Sequence, residues 1–218
     1  MKSVLELSTA CAAILEFLRG EHDVTDAMVF VSANEHILSR LNYTSHIPSN
    51  GVEEPKAVQN FGTGLTVVFK DGSTGSGSAE SSLSLAGARE ALAKARIAAV
   101  KDPEFYGLPK PEFGKRTLRD YHDIELMELA DADFVKISWD ILRAALDAFE
   151  KSPVIRELAR TEELANLKLI IGGDVQLVRE RMAVASFAMP EVESDESTMA
   201  VTSITAMIEA KNAKGSGF

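Results

Sequence analysis

An α+β fold is predicted by three features of the chain: an N-terminal helix, an antiparallel β-meander packed with helices, and then the start of a second β-rich domain. Apolar residues recur at helical spacing near the N-terminus and again in two internal stretches. Short β-prone runs bounded by Gly, Pro and Asn lie between the first helical stretch and the second. β character returns after the third and continues to the end of the sequence.

Ser3 and Glu6 have the spacing of a capping box, and Val4, Leu7, Cys11, Ile14, Leu15 and Leu18 then share one helical face, with Gly20 available to end it. From Ala27 the pattern is that of strands. Two runs, Ala27 to Ser32 and Ile37 to Thr44, are joined around Ala33, Asn34 and Glu35; a loop from Pro48 to Pro55 leads to a third strand near Ala57 to Phe61. The stretch Gly62 to Ser78 completes the meander as a β-hairpin, in which an apolar run, Leu65 to Phe69, meets a turn at Asp71 and Gly72 and a strand of small residues follows.

Ser84 caps a second helix whose Leu85, Ala88, Leu92, Ala95 and Ala99 form a face of mostly small residues suited to close packing on a sheet, and Asp102 and Pro103 stop it. Pro103 to Asp123 reads as an extended ordered arm pinned by Phe105, Tyr106, Phe113 and Tyr121. Asp131 begins a third helix carrying Val135, Trp139, Leu142, Ala145, Leu146 and Phe149, which Ser152 and Pro153 end. Strands are then predicted at Leu167 to Ile171, Val175 to Phe187 and Thr198 to Ile208, with Gly172, Gly173 and Asp174 turning between the first two. Residues 1–152 form the first domain on this reading. Residues 153–218 supply a linker and the first strands of a second β-rich domain, strands left without visible partners, so that the sequence reads as part of a larger fold.

Composition narrows the function. Hydrophobic residues make up 45% and charged residues 26% of 218, which is the balance of a folded globular chain. Thirty-three acidic residues against 23 basic ones, without a basic cluster, disfavour direct binding to nucleic acid, which depends on neutralising phosphates. Glu6 interrupts what would be the apolar core of a signal peptide, and no apolar run is long enough to span a membrane, so a cytoplasmic location is expected. The single cysteine, Cys11, sits in a helical apolar pattern and reads as a small buried hydrophobe.

No motif supplies a catalytic residue. A phosphate cradle at Gly72 to Ser78 would need a lysine at the end of the loop, but Lys70 precedes the glycines. His22, His36, His46 and His122 lack the spacing that brings two imidazoles to one metal, and Asp120 to Asp123 reads as a solvated loop. Glu191, Glu193, Asp195 and Glu196 lack the glycine and register of a calcium loop. The catalytic, cofactor-binding and metal-binding sets are therefore all empty.

The hairpin Gly62 to Ser78 with the Ala-rich helix behind it resembles the N-terminal region of the TldD/PmbA family. Further matches are Tyr106 to Pro109, Trp139, Gly172 to Val175 with Arg179 to Ala183, Asp195 to Thr198, and the tail Thr205 to Glu209 followed by Lys214 to Gly217. Together they cover most of the chain from about Leu41 onward. That family comprises zinc metallopeptidases and their non-catalytic partners, long described as modulators of DNA gyrase. The resemblance implies a cytoplasmic homo- or heterodimer that degrades or matures peptides, the zinc being carried by a His-Glu-x-x-x-His helix in the C-terminal half of the catalytic subunit. No position here matches that motif. The chain is accordingly expected to be an N-terminal, non-catalytic portion that helps shape a peptide channel and dimer interface and is inactive alone, with zinc supplied by a C-terminal half or a partner subunit. A stand-alone peptide-binding module, or a zinc-free partner subunit, is the alternative.

Overall fold

The fold is α+β, as the sequence predicts: a computed structural model describes residues 1–47, 51–111 and 122–218. Helix α1 (Val4–Arg19) leads into β1 (Val24–Thr44), β2 (Gly51–Val52), β3 (Lys56–Phe69) and β4 (Thr74–Glu80). Helices α2 (Leu85–Ile97), α3 (Ile124–Glu128), α4 (Asp131–Lys151), α5 (Pro153–Leu158) and α6 (Leu164–Leu167) follow, and then β5 (Leu169–Ser186), β6 (Glu193–Ile208) and β7 (Ala213–Gly217). The strands form one seven-stranded sheet in the order β4-β3-β1-β5-β6-β7, with β2 also paired to β1.

Two compact units interleave along the chain. The first contains Met1–Glu35, Gln59–His122 and Arg179–Ser197, and the second His36–Val58, Asp123–Val178 and Thr198–Phe218. In the first, α1 presents Leu7, Cys11, Ile14, Leu15 and Leu18 to alternate residues of β1 (Ala27, Val29, Val31, Ala33) and β3 (Leu65, Val67, Phe69), and α2 adds Ala88, Ala91, Leu92 and Ala95. Each large aliphatic side chain so buried contributes about 1.5–3 kcal/mol. In the second unit Phe134 and Leu142 of α4 pack with Ile37, Leu41, Val52, Ile171, Val175 and Leu177. Phe134 and the fully buried Ser138 lie on the inner face of α4, beside the expected Leu142.

The capping box at the start of α1 forms as predicted. Ser3 Oγ accepts from the Glu6 amide at 3.2 Å, while the Glu6 carboxylate accepts from the Ser3 amide at 2.8 Å. That amide bond, then Lys2 and the Ser3 hydroxyl, lower the Glu6 pKa from 4.5 to about 2. A carboxylate whose folded pKa is depressed stabilises the fold above its unfolded pKa, and the contribution is lost as pH falls from 4.5 towards 2. Ser3→Ala, which removes the side-chain cap of α1, is expected to cost about 1 kcal/mol. Glu6→Gln should flatten that acid limb, as thermal melts recorded from pH 6 to pH 2 would reveal; an unchanged limb would discount the capping box.

Several elements differ from the sequence reading, each for a physical reason. The two strands expected on either side of Ala33 to Glu35 are one strand, β1, whose inward alternation runs unbroken from Ala27 through Ala33 and Glu35 to Leu41. Likewise β5 passes straight through Gly172, Gly173 and Asp174. Gly173 has φ +152°, and a Cβ there would lie 2.0 Å from the Ser203 carbonyl oxygen, so glycine serves a close strand approach and not a reversal. The run from Ala57 to Phe61 and the first arm of the hairpin also merge, as β3. β6 begins at Glu193, ahead of the predicted strand start at Thr198.

The tail closes on itself. A 3-10 turn, Glu209–Lys211, and Asn212 at φ +50° return the chain as β7, paired antiparallel with β6 from Ile208↔Ala213 to Ile204↔Gly217. β5 and β6, expected to lack visible partners, join β1 in the sheet. Leu85, assigned to the packed face of α2, is 40% exposed, and Ala91 takes its share of the contact. Among the described residues of the arm after α2, Leu108 is buried and Phe105 half-buried, whereas Tyr106 is 98% exposed. Phe113 and Tyr121 lie outside the described residues, as do Pro48 to Asn50 in the earlier loop and Asp120 beside His122.

Candidate functional site

The glycine-rich stretch is a hairpin. β3 and β4 pair from Gly62↔Glu80 to Val68↔Thr74. The loop closes with Gly72 N donating to Phe69 O at 2.9 Å and Phe69 N to Ser73 O at 2.8 Å. Gly72 takes φ +83°, while Asp71 Oδ1 accepts from the Ser73 amide and hydroxyl at 3.0 and 2.6 Å. The turn is thus a three-residue loop with glycine in the left-handed position. Those two bonds hold the Asp71 carboxylate below its ordinary pKa.

Gly75 and Gly77 serve packing. A Cβ on Gly75 would stand 2.0 Å from the Ala95 carbonyl oxygen, and one on Gly77 2.0 Å from that of Ala91, so the backbone of α2 rests directly on β4. The N-terminus of α2 is occupied by its own cap, Ser84 Oγ accepting from Gly87 N at 3.3 Å. These glycines are strand residues beneath a helix flank, which is no geometry for a phosphate loop.

Cys11 is fully buried, with Sγ 3.8 Å from the Val29 carbonyl oxygen, and burial pushes its thiol up to about 12. A thiol so shielded is a poor nucleophile at neutral pH. His36 Nε2 is held by Gln176 Oε1 at 3.0 Å, and His46 Nε2 faces Glu209 at 3.4 Å. Within the acidic run, Glu196 pairs with Arg181 Nε at 2.6 Å. Among the described residues no three His, Cys, Asp or Glu side chains converge as a metal site.

The buried charges were not singled out by the sequence. Glu35 on β1 and Arg179 on β5 are 8% and 7% exposed and form an ion pair at 2.8 Å; Gln59 Nε2 donates to the other oxygen of Glu35. Both charges point inward, as their odd-numbered positions in two alternating strands require. A charge pair inside an apolar sheet face holds register, because slipping either strand by one residue would leave the other charge without a partner.

Edges matter for any extended ligand. The outer side of β4 is guarded: Thr74 exchanges both backbone bonds with Val100, at 2.8 and 3.0 Å, and Lys94 Nζ donates to Ser78 O at 2.9 Å. On the second unit, β7 pairs with β6 from Ile204 to Ile208. No helix among the described residues is long and apolar enough to cross a membrane.

Neither the protein-family models nor the curated proteins give a match to this chain. Among solved structures, TldE from Thermococcus kodakarensis is similar, with a TM-score of 0.65 and 16% sequence identity. The alignment covers 94% of this chain and 40% of the TldE chain. At that identity the likeness establishes the fold, an α+β arrangement of the TldE kind.

Proposed function

We propose that this chain is the N-terminal, non-catalytic portion of a TldD/PmbA-like zinc metallopeptidase acting in the cytoplasm, where it contributes to a peptide channel and a dimer interface. The observation that carries the reading is the TldE-like fold over nearly the whole chain, which stands beside the resemblance of stretches between Gly62 and Gly217 to that family. Zinc and the hydrolytic step belong, on this reading, to a C-terminal half or to a partner subunit. What this chain contributes is shape and backbone: strands that can extend a sheet over bound peptide.

The test uses the 218-residue chain, washed with chelator and dialysed against zinc. It is expected to retain well under one zinc per chain by atomic emission, and to cleave no casein or unstructured peptide. Mixed with a TldD-type subunit bearing the His-Glu-x-x-x-His helix, it should co-elute in size-exclusion chromatography. One tightly held zinc per chain, or peptidase activity from the chain alone, would overturn the proposal.

A further inference from the structure

We draw no further inference here: the strongest candidate, the uncharged groove on the outer face of the first unit's sheet, lined by Met28 and Phe30 of β1, Gly64 and Thr66 of β3, and Ser76 and Ser78 of β4, carries no proposal because nothing in the structure shows what covers it.

Discussion

Arg179→Met is expected to destabilise the protein by about 3–5 kcal/mol, because it leaves the Glu35 carboxylate buried without its guanidinium. Glu35 is 8% exposed, and Gln59, which donates to its other oxygen, is neutral. Typical domains have total stabilities of 5–15 kcal/mol, so a loss of that size would shift a urea midpoint far enough to populate unfolded chain in buffer. The double variant Glu35→Gln with Arg179→Met removes both charges and should recover most of the loss. Equilibrium urea unfolding of the wild type, both single variants and the double variant closes the cycle and isolates the coupling between the two side chains. A coupling near zero would mean that Glu35 and Arg179 are solvated in solution and that the pair does not hold β1 and β5 in register.

Gly77→Ala sets two effects of opposite sign against each other. Glycine in a strand interior costs roughly 0.5–1 kcal/mol relative to alanine through backbone entropy, so propensity alone predicts a gain in stability. Packing predicts the reverse. The new Cβ would stand 2.0 Å from the Ala91 carbonyl oxygen and 2.8 Å from the Ala95 amide nitrogen, and both are backbone atoms that cannot rotate away. Overpacking of this kind costs about 1–3 kcal/mol, and more where backbone must shift, so a net loss of about 2 kcal/mol is expected. Ser76→Ala, on the exposed side of the same strand, should stay within about 0.5 kcal/mol of wild type. If Gly77→Ala instead raised the urea midpoint, α2 could not lie against β4 as described.

Legibility in the sequence tracked the range of the interaction responsible. The capping box, the apolar stripe of α1, the start of α4 and the turn at Gly72 are set by residues within a few positions of one another, and each follows from spacing alone. The glycines of β4 were readable as a closely packed strand because small residues face small residues in α2. The candidate site was far less legible. The apolar cavity beside β6 exists because α3 and α4 bring Leu126, Phe134 and Ile137 to Ala200 and Thr202, an arrangement with no local signature.

By itself the sequence determined an acidic α+β chain with helices beginning at Val4, Leu85 and Asp131, a glycine-bearing hairpin and a buried, unreactive Cys11. Helical period, caps and turn residues act over one or two turns of chain, which is why these survive without tertiary context. Only the tertiary structure decided that β1 and β5 run unbroken. Asn34 and Glu35, or Gly172, Gly173 and Asp174, have the composition of turns, and a charged residue on an inward position argues locally against a strand. What reverses that preference is Arg179, distant in sequence, arriving opposite Glu35, and the Ser203 carbonyl arriving where Gly173 has no side chain. Those partners exist only once the strands are paired.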